Sequence, residues 1–122
     1  MNTRPLAFIA LAAALGSCKS SMASLPPAGA VITIADYAFS PETTTVKSGT
    51  IVEWENQGPS THTVTSDSTL WTSATLGPPG GGGGYGGPSA GGTFRFTFAA
   101  TGTFAYHCSI HTYMHGVVIV TP

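Results

Sequence analysis

Three side chains that can bind a metal lie within a short segment near the end of this chain. They are the thiol of Cys108, the imidazole of His111 and the thioether of Met114, at a Cys-x-x-His-x-x-Met spacing. Because a loop this short can curl around an ion, the spacing predicts that all three side chains converge on one point. A fourth ligand must come from elsewhere in the fold. His62 is the candidate, since it opens a predicted strand just after a Gly-Pro turn.

The chemical types of these four ligands favour copper. Thiolate and thioether sulfurs are soft and prefer Cu(I), whereas imidazole suits both oxidation states. Two His, one Cys and a weak axial Met form the ligand set of blue copper electron-transfer sites. Zinc also accepts nitrogen and sulfur ligands, but structural zinc sites usually contain more Cys, and Met is a poor zinc ligand. The sequence therefore predicts one copper ion that cycles between Cu(II) and Cu(I).

Two further His flank this segment. His115 follows Met114 and is the stronger ligand, so it competes with Met114 to be the metal ligand at this end of the segment. His107 precedes Cys108, and a second metal site there would need further His, of which the chain has four in all. We interpret His107 as a strand residue that faces away from Cys108, because successive side chains on a strand point to opposite faces.

Short β-strands must position these ligands. Residues 93–98 alternate cleanly, with Phe94, Phe96 and Phe98 on one face. Other short runs are also rich in β-branched and aromatic residues and are bounded by Gly, Pro and Asn. These runs predict further strands at 31–35, 43–47, 51–56, 62–66, 103–108 and 116–120. Seven or eight short strands in a domain of this size predict an all-β fold, a Greek-key β-sandwich.

The composition excludes several functions. Only 7% of residues are charged, the net charge is −1, and Lys and Arg together number four, so the chain lacks the basic face that nucleic acid requires. No two His are separated by a single residue, which excludes the His-x-His motifs of multicopper oxidases. A hydrolase triad can be drawn from Ser60, His62 and Asp67 only by choosing residues to fit. We therefore expect that the chain is not an enzyme by itself.

The first 23 residues are predicted to be a signal peptide. Arg4 precedes an apolar run from Leu6 to Leu15, which is too short to span a bilayer. Cleavage after Ala23 is one alternative. The other is a lipoprotein signal that ends before Cys18, because Leu15-Gly16-Ser17-Cys18 is similar to a lipobox, and a lipid on Cys18 would then anchor the protein to a membrane. Either alternative predicts export to the periplasm or the outer cell surface.

The rest of the chain is predicted to hold one domain. Residues 24–30 have the composition of a linker, and residues 31–122 form the domain, with a Gly/Pro-rich loop insert at 77–92. Since Cys18 is either lipidated or removed, Cys108 is left without a disulfide partner in an oxidising compartment. Such a thiol is a liability unless something else in the protein uses it, which is a first indication of function.

Over about residues 31–122 the sequence resembles the cupredoxins: plastocyanins, pseudoazurins and, most closely, amicyanins. The resemblance rests on Trp54-Glu55-Asn56 before His62, on the segment from Gly102 to Cys108, and on the closing Gly116-Val117-Val118-Ile119-Val120. The spacing from Cys108 to Met114 matches the short amicyanin-type loop. Thr63 departs from the pattern, because many relatives have an Asn there that ties the ligand loops together.

The resemblance implies a type 1 blue copper protein that shuttles single electrons between redox partner proteins. It assigns His62, Cys108 and His111 as the strong ligands and Met114 as the axial one. It also implies that electrons pass through the edge of His111, with Tyr113 and Pro59 at its rim. We expect a monomer. The alternative is a periplasmic or membrane-anchored copper carrier or resistance protein, although the chain lacks the Met- and His-rich arrays that many such proteins use.

Overall fold

The computed structural model describes residues 24–80 and 90–122. Within them, eight β-strands form two sheets that pack face to face. The strands are β1 (Ala30–Ala35), β2 (Ala38–Ser40), β3 (Thr43–Lys47), β4 (Thr50–Asn56), β5 (Thr65–Ser66), β6 (Thr93–Phe98), β7 (Gly102–His107) and β8 (His115–Thr121). The predicted all-β sandwich is confirmed.

One sheet has the strand order β2-β1-β4-β6 and the other β3-β8-β7-β5. The pairs β1/β4 and β3/β8 are parallel, and the remaining neighbours are antiparallel. The chain returns directly from β7 to β8 in one hairpin, and the predicted Cys-x-x-His-x-x-Met segment is the connection of that hairpin. The topology therefore presents the predicted ligand segment at one end of the sandwich.

The core lies between the sheets and follows from the alternation of side chains along each strand. Val52, Trp54 and Asn56 point inward from β4, while Tyr106 points inward from β7. Trp54 and Tyr106 meet across the core with ring centroids 5.4 Å apart. Burial of such large rings stabilises the fold, and truncation of a buried Trp costs about 3–5 kcal/mol.

The predicted strand at 62–66 is shorter than expected, because only Thr65–Ser66 pairs with β7. His62 instead forms an isolated bridge with Leu76, in which each backbone N–H donates to the carbonyl of the other residue (3.1 and 2.8 Å). Strand β2 has no predicted counterpart. Cys108 lies one residue beyond β7, because its N–H turns to the carbonyl of Met114.

The predicted signal peptide over residues 1–23, with both of its alternative ends, lies outside the described residues, as do residues 81–89 of the Gly/Pro-rich insert, including Tyr85. Across the part of the chain that the structure describes, there is no helix with the length and apolar character needed to cross a membrane.

Candidate metal centre

Three of the four predicted ligands converge at one end of the sandwich. The Sγ atom of Cys108 lies 3.9 Å from Nδ1 of His62 and 3.8 Å from Nδ1 of His111, and the two Nδ1 atoms are 3.2 Å apart. His62 and Cys108 are fully buried, and His111 is partly exposed. Loops that are distant in sequence thus place one sulfur and two nitrogen donors around a single point.

These separations fit one metal ion. A circle through the three donor atoms has a radius of about 2.1 Å, which is close to the metal–nitrogen and metal–sulfur distances of about 2.0–2.3 Å found for a borderline ion such as zinc. An ion at its centre would therefore reach all three donors in one plane. Two His nitrogens and one Cys sulfur in a trigonal plane form the arrangement that suits copper.

His62 is held by the loop that leads to it, and buried Asn56 at the end of β4 organises that loop. The amide nitrogen of Asn56 donates to the carbonyls of Ser60 (2.7 Å) and Leu76 (2.8 Å). Its amide oxygen accepts from the N–H of Gly58 (3.0 Å). Because the side chain binds both the 57–61 loop and the segment that pairs with His62, it fixes the approach of the imidazole to the centre.

The outer nitrogen of His62 meets a carboxylate. Nε2 lies 2.9 Å from Oδ1 of Asp36, in the turn between β1 and β2. A carboxylate can only accept, so Nε2 carries the proton and Nδ1 presents its lone pair to the centre. The Ser60 hydroxyl donates to Asp36 (2.6 Å) and is the main cause that lowers the pKa of this carboxyl, with the His62 bond acting in the same direction. Asp36 thus fixes the tautomer and orientation of His62.

Close approach of this carboxylate requires a glycine at position 58. A Cβ atom there would lie 2.7 Å from Oδ1 of Asp36 and 3.0 Å from its backbone nitrogen. Any side chain at Gly58 would therefore push apart the two turns that hold His62 and Asp36.

The loop from Cys108 to Met114 is closed by its own backbone. The N–H of Cys108 donates to the carbonyl of Met114 (3.1 Å), and the N–H of Met114 donates to the carbonyl of His111 (2.9 Å). These bonds bring Cys108 and Met114 together as a pair at the end of β7 and β8. Both side chains are buried, with Met114 only 2% exposed.

Backbone N–H groups also point at the sulfur of Cys108. The N–H groups of Thr63 and His111 each lie 3.4 Å from Sγ. Burial raises the pKa of the Cys108 thiol. These N–H groups, together with the His62 side chain and the backbone of Ile110, stabilise the thiolate and outweigh burial, so that the pKa falls to about 6. The protein therefore favours the anionic form of the sulfur, which is the form that binds metals.

Thr63 links the two ligand loops, at the position where many relatives have Asn. Its Oγ1 accepts from the N–H of Ser109 (2.7 Å) and lies 2.7 Å from the Ser109 hydroxyl. The link that the sequence left in question is therefore made by a threonine and a serine. It joins the residue after His62 to the residue after Cys108.

The two other His stand apart from this centre. His115 begins β8 and is exposed, whereas the neighbouring Met114 is buried. His107 pairs with Thr65 and His115 in the outer face of its sheet. The group of metal-binding side chains found within the described residues consists of His62, Cys108 and His111.

The exposed side of the centre is lined by aromatic rings. The ring of Tyr37 packs against that of His111 with centroids 4.8 Å apart, and the ring of Tyr113 lies 6.2 Å from it. Both tyrosines are exposed, at 48% and 65%, and so is Ile110. Tyr113 was predicted at this rim, while Tyr37 was missed because it comes from the distant turn after β1.

Residues 6–120 match the family described as the cupredoxin-like domain. The match covers most of the chain, and the chain belongs to the cupredoxin family. The sequence-based recognition is confirmed, and the fold together with the His/Cys/His/Met cluster points to one copper ion as the cofactor. A search of curated proteins found no match.

Solved structures share the fold. A purple cupredoxin from Nitrosopumilus maritimus is 24% identical with a TM-score of 0.62, over 75% of this chain and 99% of that one. A reduced amicyanin mutant is 30% identical with a TM-score of 0.57, over 76% of this chain and 83% of that one. A Cu-containing nitrite reductase from Thermus scotoductus SA-01 is 23% identical with a TM-score of 0.64, over 81% of this chain but only 24% of that one.

Proposed function

We propose that this chain is a blue copper electron carrier, in which Nδ1 of His62, Sγ of Cys108 and Nδ1 of His111 bind one copper ion and Met114 is its axial ligand. The observation that supports it most directly is the convergence of three donor atoms on a circle of about 2.1 Å radius. When bound, copper supplies a one-electron change between Cu(II) and Cu(I).

The residues around the centre favour such a change without rearrangement. Both ligand loops are fixed by hydrogen bonds that need no metal. Asp36 binds the imidazole of His62, and Thr63 binds the N–H of Ser109. Ligands that are already positioned have little to move when an electron enters or leaves. The N–H groups of Thr63 and His111 stabilise the negative charge on the sulfur of Cys108 in both oxidation states of the copper.

The burial of the ligands favours a carrier over an enzyme. His62, Cys108 and Met114 are at most 2% exposed, so these side chains enclose the centre and exclude water from it. A catalytic site would need an open position for a substrate. Of the four proposed ligands only His111 reaches the surface, so the edge of its ring is the route for electrons. The surface that meets a redox partner protein surrounds this ring and consists of Tyr37, Ile110 and Tyr113.

The low charge of the chain suggests how partners are recognised. With 7% charged residues there is little field to steer a partner, so contact depends on the exposed rings and apolar side chains near His111. Monomeric state, export and the signal peptide over residues 1–23 stay predictions, as does lipid anchoring at Cys18.

The test is a titration of the purified chain with Cu(II), followed by visible absorption and EPR. We expect an intense blue colour and a narrow copper hyperfine splitting at one equivalent, because the sulfur of Cys108 would bind the ion directly. Cys108→Ala should abolish the colour, and Cys18→Ser, which removes the other thiol, should keep it. Tight but colourless binding that is lost in Cys108→Ala would favour the alternative of a copper carrier or resistance protein, and no tight binding that depends on Cys108 would refute both.

A further inference from the structure

Two histidines face each other on the outer surface of the second sheet, away from the copper centre. His107 on β7 is the register partner of His115 on β8, and their ring centroids are 6.4 Å apart. Their neighbours Tyr106 and Gly116 are buried, and the Tyr106 side chain points into the core, so the two imidazoles point outward. The His107 side chain is 29% exposed, and His115 is exposed.

The backbone brings these two side chains close together. The N–H of Cys108 donates to the carbonyl of Met114, which makes that pair the hydrogen-bonded type. In an antiparallel ladder the two types alternate, so the adjacent His107/His115 pair is the non-hydrogen-bonded type, whose side chains are closer, with Cα atoms about 4.5 Å apart. Two imidazoles on such a pair can reach one ion when the side chains rotate toward each other.

A carboxylate already orients one of them. Oδ1 of Asp67 lies 2.5 Å from Nδ1 of His107, and the backbone N–H of Asp67 donates to the carbonyl of Ala105 (3.0 Å), which anchors the residue. Because the carboxylate accepts a hydrogen bond from Nδ1–H, the lone pair of His107 lies on Nε2. Histidines that bind metals usually have this second partner, which fixes the tautomer and raises the basicity of the ring.

We propose that His107 and His115 form a second, surface site for a divalent transition metal, with Cu(II) as the preferred ion and Asp67 as the residue that positions His107. Two imidazole nitrogens suit Cu(II) and Zn(II), and Cu(II) is the stronger binder in the general order of divalent affinities. Water completes the coordination. The site has no thiolate, so its Cu(II) is colourless beside the blue centre, and it depends on none of the four residues proposed to bind copper there.

The experiment is a Cu(II) titration of the full chain at pH 7.5, followed by calorimetry, visible absorption and EPR, with His115→Gln as the variant. We expect wild type to bind one equivalent more than His115→Gln, and the additional ion to give a wide copper hyperfine splitting with no blue band. The blue band should be the same in both proteins, since His115 lies outside the blue centre. If His115→Gln binds as many equivalents with the same affinities as wild type, the proposal is wrong.

Asp67→Asn supplies a second readout, because it keeps both imidazoles and removes only the charge that orients one of them. We expect the additional ion to bind about tenfold more weakly in this variant, as is usual when the partner of a metal-binding His is lost. Unchanged affinity in Asp67→Asn would contradict the positioning role. A failure of the blue copper proposal is distinguishable, because the blue band would then be missing from every protein while the difference caused by His115→Gln remained.

Discussion

Replacing Thr63 with Val would test whether the hydrogen bonds between the ligand loops hold the centre together. Valine has nearly the same shape but no hydroxyl, so the substitution removes the two contacts to Ser109, each 2.7 Å long, and a weak contact of 3.9 Å to Sγ of Cys108. A lost hydrogen bond costs about 0.5–1.5 kcal/mol net, and the partly buried N–H of Ser109 left without an acceptor costs about 1–3 kcal/mol. Since the Ser109 hydroxyl is exposed and can bind water, we expect Thr63→Val to lower the free energy of unfolding by about 2 kcal/mol.

The assay is urea unfolding of the metal-free protein, followed by tryptophan fluorescence, with thermal unfolding as a second measurement. For a domain of this size 1 kcal/mol corresponds to a shift in Tm of about 4–8 °C, so the midpoint should fall by about 10 °C. Thr65→Val is the matched control, because the Thr65 hydroxyl meets only that of Thr72, at 3.3 Å and in an exposed setting. We expect its effect to stay within about 0.5 kcal/mol.

Thr63→Ser should restore most of the stability, since serine keeps the hydroxyl that Ser109 binds. If Thr63→Val and Thr65→Val unfold at the same urea concentration, the link between the loops contributes nothing and the reasoning fails.

Three further changes test other parts of the molecule. Gly116→Ala should lower the free energy of unfolding in urea by about 3 kcal/mol, because its Cβ would overlap the ring of Tyr106. Gly77→Ala, which has open space around it, should leave that free energy nearly unchanged. Equal effects of the two substitutions would contradict this packing. Asp36→Asn should raise the reduction potential measured by spectroelectrochemistry, because the carboxylate stabilises Cu(II) through His62. A tenfold change in the ratio of the affinities for Cu(II) and Cu(I) corresponds to about 59 mV. An unchanged or lower potential would refute the role of the charge. Stopped-flow oxidation by a cytochrome should vary little with ionic strength, since few charges steer the encounter, and a steep dependence would overturn that expectation.

The sequence predicted those parts of the centre that depend on local spacing. Cys108, His111 and Met114 lie on one short hairpin connection, so their proximity follows from the chain itself. His62 was placed with them from its position after a turn and from the family resemblance, and the structure brings its Nδ1 to the other donors. That all four bind the ion stays a prediction that the copper titration tests.

The supporting residues could not be predicted in the same way, because their roles arise only from the packing of distant segments. Asp36 is a charged residue in a turn, with nothing local to connect it to a histidine that lies 26 positions later. Asn56 has the appearance of a residue that ends a strand, but its amide binds three backbone groups from two segments. Strand β2 has only three residues, which is too short for a periodic pattern to stand out.

The separation between His62 and Cys108 along the chain has a consequence for how the protein unfolds. The two residues are 46 positions apart and come from different segments of the sandwich, so an ion bound to both acts as a reversible cross-link that closes a long loop. By the loop-entropy relation used for disulfides, a closed loop of this length removes about 4 kcal/mol of conformational freedom from the unfolded chain. Copper bound to both residues would thus stabilise the folded chain as well as exchange electrons, and a chelator that removed it would lower the free energy of unfolding.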